Sequence, residues 1–498
     1  MTTSTTAVER GLAEAAVPTG PPRGGRSIIA LLMCAAFVVV LNETIMSVAL
    51  PTLMSELSIT ASAAQWLTTA FLLTSAVVVP ATGFLLRRYT LRALFITAMS
   101  LFTVGTAIAA LSPEIGALVS PTGGSSVFAV LLVARVIQAS GSAIMLPLMM
   151  TTVLAVVPPA RRGSIMGLVS IVMSVAPAIG PTVSGLILST FEWRFLFVFV
   201  LPISIGALLL GALRLRNITR TQRARLDVFS VVLSAVAFGG LIYGLSSLGQ
   251  VADGTQAVPV WIPLTAGALG LVGFVWRQIA LRDTDRVLLD LRVFQVPSFT
   301  VAIVLIVAVM TALFGALIVL PLYLQRVLGL DTFETGLVLL PGGILMGALA
   351  PLVGRLYDRF GQRVLVLPGI VTVSGALWWM TTLEASAPVL LVVAMHCVLG
   401  IGFAVTFTPL MTSGLGSLPV HLHSHGTAVL STLQKVAGAT GTALFIAVMT
   451  IGSSAVDSGA TAVATVDAGT HAAFLAGALL SLASVVLAGV ATLTYGRR

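Results

Sequence analysis

Glu43, Arg135 and Lys435 are charged side chains set deep inside long apolar stretches of this 498-residue chain. A charge at mid-membrane costs about 2.5–3.5 kcal/mol on insertion scales, so such groups face a bundle interior or a wet cavity and find partners there. A carboxyl group held in such a cavity can take up and release a proton or hold a cationic ligand, and that is the chemistry a gradient-driven carrier needs. Each of the three residues reads two ways. Glu43 is a proton-coupling acid or a structural acid bonded between helices. Arg135 works with that acid or braces two helices, with Gln138 three residues on along the same helix face. Lys435 is a cavity cation or a side chain that snorkels toward the headgroups.

The elements that must position these groups are membrane spans. The composition is 57% hydrophobic and only 9% charged, with a mean hydropathy of +1.08, which excludes a soluble globule, a disordered chain and a coiled coil. The apolar runs are continuous rather than alternating, which excludes a transmembrane barrel. Runs of the roughly 20 residues that cross a hydrocarbon core occur fourteen times, near 27–50, 64–86, 93–111, 126–150, 164–189, 194–213, 228–248, 260–281, 298–324, 335–356, 364–383, 388–412, 426–450 and 472–494. The chain is therefore expected to be an all-α membrane protein with fourteen transmembrane helices. Residues 1–26 are expected to be a disordered cytoplasmic tail, without the apolar core of a signal peptide. Cys34 and Cys397 lie in apolar runs and read as free thiols.

The net charge of +9 raises nucleic acid as a partner. Position decides against it. With the amino terminus inside, the inner segments hold 22 of the 26 basic residues and the outer loops hold only Arg194 and Arg326. Basic residues gathered on one side of the membrane set topology, so both termini are expected in the cytoplasm and the partner is the lipid bilayer, not nucleic acid.

An internal repeat divides the spans. The loop after the second reads Gly83-Phe-Leu-Leu-Arg-Arg-Tyr-Thr-Leu-Arg92, and the loop after the tenth reads Gly354-Arg-Leu-Tyr-Asp-Arg-Phe-Gly-Gln-Arg363. Both fit G-x-L-x-x-R-[FY]-x-x-R. The expected plan is a six-helix half over 27–214, a linker and two inserted helices over 215–292, and a second six-helix half over 293–498. Paired repeats around a central site are a common transporter architecture. The inserted pair is expected to pack peripherally.

The second loop matches the G-x-L-x-D-R-x-G-x-R signature of the major facilitator superfamily at every fixed position, so the chain resembles that superfamily's 14-helix drug:proton antiporters. Leu41-Asn-Glu-Thr-Ile-Met-Ser-Val-Ala-Leu-Pro51, Arg135-Val-Ile-Gln138, Gly180-Pro-Thr-Val-Ser-Gly185, Trp193-Arg194 and Pro321-Leu-Tyr-Leu-Gln325 extend the resemblance in order along the chain.

The resemblance implies a major-facilitator fold and roles for particular residues. Many relatives carry Asp where Asn42 stands; here the acid is Glu43, turned by roughly 100° around the helix. Glu43 and Arg135 are thus expected to couple protons, with Asn42, Gln138, Met145 and Lys435 at the substrate cavity. Gly180, Pro181 and Gly185 form the antiporter motif, associated with export, and are expected to let a second helix approach closely along with Ala176 and Ser184. In the gating loop Gly354, Asp358, Arg359, Gly361 and Arg363, the acid is expected to meet a helix end of the opposite half; the first loop has Arg87 where that acid would be. Arg87, Arg88 and Arg92 read as topology setters.

Met149, Met150, Trp66, Phe71, Phe314, Tyr323, Trp378 and Trp379 could line a pocket, though each alone reads more simply as core or lipid-facing. His421, His423 and His425 read as an interfacial loop rather than a metal site. No Gly-Lys phosphate loop is present, because the one lysine follows Gln434. The reading is therefore a secondary transporter in the plasma membrane, not an enzyme, without cofactor or metal. It exports lipophilic drugs or antibiotics, cationic ones included, in exchange for protons, as a monomer working by alternating access. The alternatives are a proton-coupled importer of a small nutrient or metabolite and a transport-inactive membrane sensor.

Overall fold

Where every backbone polar group must be satisfied without water, an apolar run folds as helix. All fourteen expected runs do so in the computed structural model, which describes residues 25–59, 61–119, 124–217, 221, 225–252, 258–455 and 461–495. Most of the expected tail, residues 1–24, lies outside the described residues, as do parts of the 214–225 link.

The first six spanning helices are α1 (Gly25–Glu56), α2 (Ala61–Arg88), α3 (Leu91–Ala110), α4 (Gly124–Val156), α5 (Arg162–Leu188) and α6 (Phe195–Arg214). Helix α7 runs through Val228–Ser234, a π-helical turn at Ala235–Gly239 and Gly240–Ala252, and α8 is Trp261–Ala280. The last six are α9 (Pro297–Arg326), α10 (Thr332–Phe360), α11 (Arg363–Met380), α12 (Val389–Gly416), α13 (His423–Ser454) and α14 (Ala462–Tyr495).

Packing follows the repeat. Within the first block α1 lies on α5, and α4 on α2 and α3; within the last block α9 lies on α13, and α12 on α10 and α11. Between the blocks the main contacts are α5 with α10 and α2 with α13. In each case the second helix of one block meets the fifth helix of the other. The two signature loops follow α2 and α10, so each emerges beside a helix of the opposite block.

The inserted helices have their own clamp. Asp227 caps the start of α7 by accepting from the Ser230 amide at 3.1 Å, and it also takes the Arg277 guanidinium of α8 at 2.9 and 3.0 Å. The Arg277 hydrogen bond, working against burial, holds the Asp227 carboxyl down at about 2. A carboxyl lowered on folding adds stability above its ordinary value near 3.9, and that stability is lost as the pH falls toward 2. Asp227→Ala is expected to cost about 1 kcal/mol, as for a lost cap. In thermal unfolding of the purified protein, the gap from wild type should be constant between pH 5 and 8 and should close below pH 4.

The pair α7–α8 is not wholly peripheral. Helix α7 packs on α2 and α13, and Trp66 of α2 stacks on Tyr243 at 5.7 Å between ring centres. His423 and His425, expected in a loop, are buried and begin α13.

Candidate functional site

A cavity of about 1110 Å³, its open side included, lies at mid-length of the bundle between the two blocks. The first block supplies Glu43 from α1, Ser75 from α2, Ser142 from α4 and Met173 from α5; the last block supplies Phe314 from α9, Met346 from α10, Phe403 from α12 and Lys435 from α13. Four helices from each side therefore frame one space. Its wall is mainly apolar, with a few hydroxyls, Gln434 and one pair of charges. A drug-sized pocket has that composition.

The charges face each other. Lys435 Nζ donates to Glu43 Oε1, and both side chains are 24% exposed. This is an ion pair across the two blocks, reachable from the cavity. The other expected cavity residues lie elsewhere. Asn42, one position from Glu43, turns away from the cavity toward α4, where Arg135 Nη1 donates to its Oδ1 at 3.2 Å. Arg135 is 1% exposed. It also donates to Gln138 Oε1 at 2.6 Å and lies 4.2 Å over the Phe71 ring. Gln138 in turn donates to Thr106 of α3 at 2.8 Å. Asn42, Arg135 and Gln138 thus form a buried brace behind the acid, satisfied within the first block. Met145 is fully buried in the core and is not among the residues lining the cavity. The adaptable thioethers in the wall are Met173, Met310 and Met346 instead.

The antiporter motif sits against α1 beside the acid. A Cβ at Gly180 would strike the Thr44 hydroxyl, so only glycine lets α5 come this close next to Glu43. Ser184 Oγ donates to the Ile45 carbonyl at 3.1 Å. Gly185 makes no such approach, contrary to expectation: a Cβ there would meet nothing within 4 Å, because it falls on another face of α5. For Pro181 the structure describes the helical backbone only.

The gating loop closes one face. Asp358 accepts from the Gly163 amide at 2.8 Å, the Ser164 amide at 2.8 Å and the Ser164 hydroxyl at 2.5 Å. Its carboxylate therefore sits on the exposed amides at the start of α5, where a helix favours negative charge. Gly163 and Gly354 touch backbone to backbone. Gly361 ends α10 at φ +76°, a conformation glycine adopts freely. Arg359 is exposed, and so is Arg363 at the start of α11. Two further cross-block bonds lie on the same side of the cavity, Thr151 with Thr427 at 2.8 Å and Thr408 to Ser170 at 2.9 Å. The face at which α1 begins is thus bonded shut.

The family model for the Major Facilitator Superfamily matches residues 32–442. The chain belongs to this superfamily. It is 40% identical over 428 residues to the lincomycin resistance protein LmrB of Listeria monocytogenes, covering 86% of this chain and 87% of that one. It is 39% identical over 461 residues to the uncharacterised transporter YcnB of Bacillus subtilis, covering 92% and 93%. A multidrug resistance protein B homolog of Mycobacterium tuberculosis is 27% identical over 452 residues, covering 87% and 80%. In fold, the human organic anion transporter MFSD10 superposes with a TM-score of 0.65 at 15% identity, covering 94% of this chain and all of that one.

Membership of the superfamily makes the chain a transport protein rather than an enzyme, and its fourteen apolar helices make it a multi-pass plasma-membrane protein. Several residues at the heart of this superfamily member were not singled out from sequence. Ser142, Met173, Met310, Met346 and Phe403 line the cavity, and only Phe314 of the proposed aromatics joins them. Tyr323 is buried and donates to the Glu384 carbonyl at 2.6 Å, while Trp378 and Trp379 are exposed on α11. Among the described residues no cluster of three or more His, Cys, Asp or Glu could hold a metal.

Proposed function

We propose that the chain exports lipophilic drugs, weak bases included, in exchange for protons, with Glu43 as the proton site and Lys435 as its internal counter-ion. The observation that carries this reading is the Glu43–Lys435 pair, which spans the two blocks inside an apolar cavity lined from both. A proton arriving at Glu43 cancels the charge that holds Lys435, and a cationic substrate competes with Lys435 for the same carboxylate. Either event loosens a contact between the blocks, so occupancy is linked to the rocking of one block on the other. Arg135 acts behind the acid by fixing Asn42 and the local backbone.

The division into halves at 27–214 and 293–498 around an inserted 215–292 supports rocking, as does the block-wise packing. The 22-to-2 distribution of basic residues supports a cytoplasmic location for the face where α1 begins. In this reading, the face that is bonded shut is the cytoplasmic one, and the cavity exchanges next with the outside. Each charge moved down 100 mV supplies about 2.3 kcal/mol, enough to drive export without a nucleotide. The names of the relatives favour lincomycin as the first substrate to try.

The test is transport in inside-out vesicles. An exporter of this kind accumulates radiolabelled lincomycin or a cationic dye when the lumen is acidified, and an uncoupler collapses the gradient of drug. Accumulation only with the proton gradient reversed would point to the importer instead. Drug movement indifferent to both gradient and uncoupler would remove the proton from the cycle.

A further inference from the structure

The two symmetry-related seams between the blocks are built differently. At the α5–α10 seam, Gly163 and Gly354 meet directly and Asp358 bonds the start of α5. At the α2–α13 seam, the corresponding loop offers Arg87 in place of the acid, and the corresponding helix start carries His425. A cation is unfavourable at a helix N-terminus, so Arg87 cannot repeat the contact that Asp358 makes.

The link between α8 and α9 fills this place. Val287, Leu288, Leu289 and Asp290 are all buried, although they belong to a connection between helices. Arg87 Nη2 donates to the Val287 carbonyl at 2.8 Å, which ties the link to α2. The Asp290 amide donates to His425 Nδ1 at 3.2 Å, which ties it to α13. Gly83 of α2 is the point of closest passage: a Cβ there would lie 3.1 Å from the Leu288 carbonyl oxygen and 3.2 Å from His425 Nδ1. The strap is in turn held by the inserted helices, because Gln278 Oε1 of α8 accepts from the Leu288 and Leu289 amides at 2.9 and 3.1 Å. Gln278 is fixed by donating to Ser230 of α7 at 2.8 Å. Asp290 is locked by Arg292, whose guanidinium reaches its carboxylate at 2.7–3.0 Å.

We propose that residues 287–290 are a gate element, and that α7–α8 serve transport by holding this strap between α2 and α13, where it does for one seam what Asp358 does for the other. The strap bonds both blocks at once only while this face is shut. Opening separates α2 from α13, so the bond to Arg87 or the bond to His425 must break in every cycle. Arg87, Gln278 and His425 are positioning residues for the closed state; none of them lines the cavity. The proposal rests on alternating access alone and is independent of what the carrier moves.

The test is a distance measurement on the full chain in lipid nanodiscs, with Cys34 and Cys397 replaced by serine and spin labels at Tyr89 and Val420. Both label positions are exposed, one just beyond α2 and one just before α13. The unmodified seam should give a short main distance. Arg87→Ala, His425→Ala and Gln278→Ala are each expected to raise the population of the long distance at least threefold. Arg87→Lys, which can still donate to the Val287 carbonyl, should return most of the closed population. If α7–α8 and the strap only stabilise the fold, these variants will melt at lower temperature with the distance distribution unchanged, and that result overturns the proposal. Should His425→Ala fail to fold, the partly buried Arg87 gives the same decision through its Ala and Lys variants.

Discussion

Glu43→Gln is expected to abolish proton-driven drug accumulation, a loss of at least tenfold, while leaving downhill exchange of drug across the membrane intact. The substitution preserves shape and removes the carboxylate, with both its charge and its capacity to carry a proton. It also leaves the Lys435 ammonium without its anion in a cavity where that side chain is only 24% exposed. Breaking a buried pair from one side costs up to about 3–5 kcal/mol, whereas replacing both members together is often near neutral. With both side chains 24% exposed, the pair falls below that limit. Glu43→Gln and Lys435→Met should therefore each lower the melting temperature, and the double variant should recover most of the loss. Transport separates the two meanings of the pair. If the pair were only a strut between the blocks, the double variant would regain coupled transport with its stability. If Glu43 carries the proton, the double variant regains stability alone. Measuring melting and vesicle accumulation on the same four proteins decides it, and full uncoupler-sensitive accumulation by Glu43→Gln would end the role assigned to the acid.

How much of this was legible in the sequence depends on whether a feature is local. The fourteen spans follow from apolar run length, and all fourteen are helices. Asp358 was legible through the resemblance of its loop to the superfamily signature, because the internal repeat leaves that position open and has Arg87 there in its first copy. The Glu43–Lys435 pair joins residues 392 apart, and no spacing rule relates them. Each was visible as a charge out of place, but not as the other's partner. Rotation about a helix axis was the second obstacle. Asn42 and Glu43 are neighbours in sequence, yet one faces Arg135 and the other the cavity. Met145 is core while Met173 and Met310 are wall, because helices apolar all round carry little record of which face is turned inward. Gly185 likewise follows the motif in sequence but not in space. The strap at 287–290 was hidden for a third reason. It reads as a mixed-charge connection, and only the tertiary structure shows that its apolar residues fill a seam.

Asp358→Asn is expected to open the face that the structure shows closed. The carboxylate accepts three hydrogen bonds at the start of α5. Asparagine offers one acceptor oxygen and turns an amide that can only donate toward amides that also donate. Hydrogen bonds to a charged group are worth about 1.5–3 kcal/mol, and the helix end adds about 0.3–1 kcal/mol. Losing one such bond, about 1.5–3 kcal/mol, shifts the ratio of closed to open by roughly 10- to 150-fold, since about 1.4 kcal/mol is a factor of ten. Among the described residues no strap like that at 287–290 bonds the α5–α10 seam. Spin labels at Ala160 and Phe360, both exposed and on opposite sides of that seam, should therefore report a longer main distance in Asp358→Asn. Gly163→Val should do the same by a different route, because its side chain would displace Asp358 and the Gly354 carbonyl. A carrier needs both of its faces to open in turn, so weakening the closed state slows the cycle at a different step from Glu43→Gln: drug binding from the α1 side should persist and net export should fall. An unchanged distance distribution in both variants would mean that the seam is held by packing alone, and that the carboxylate at the start of α5 has no part in setting which face is shut.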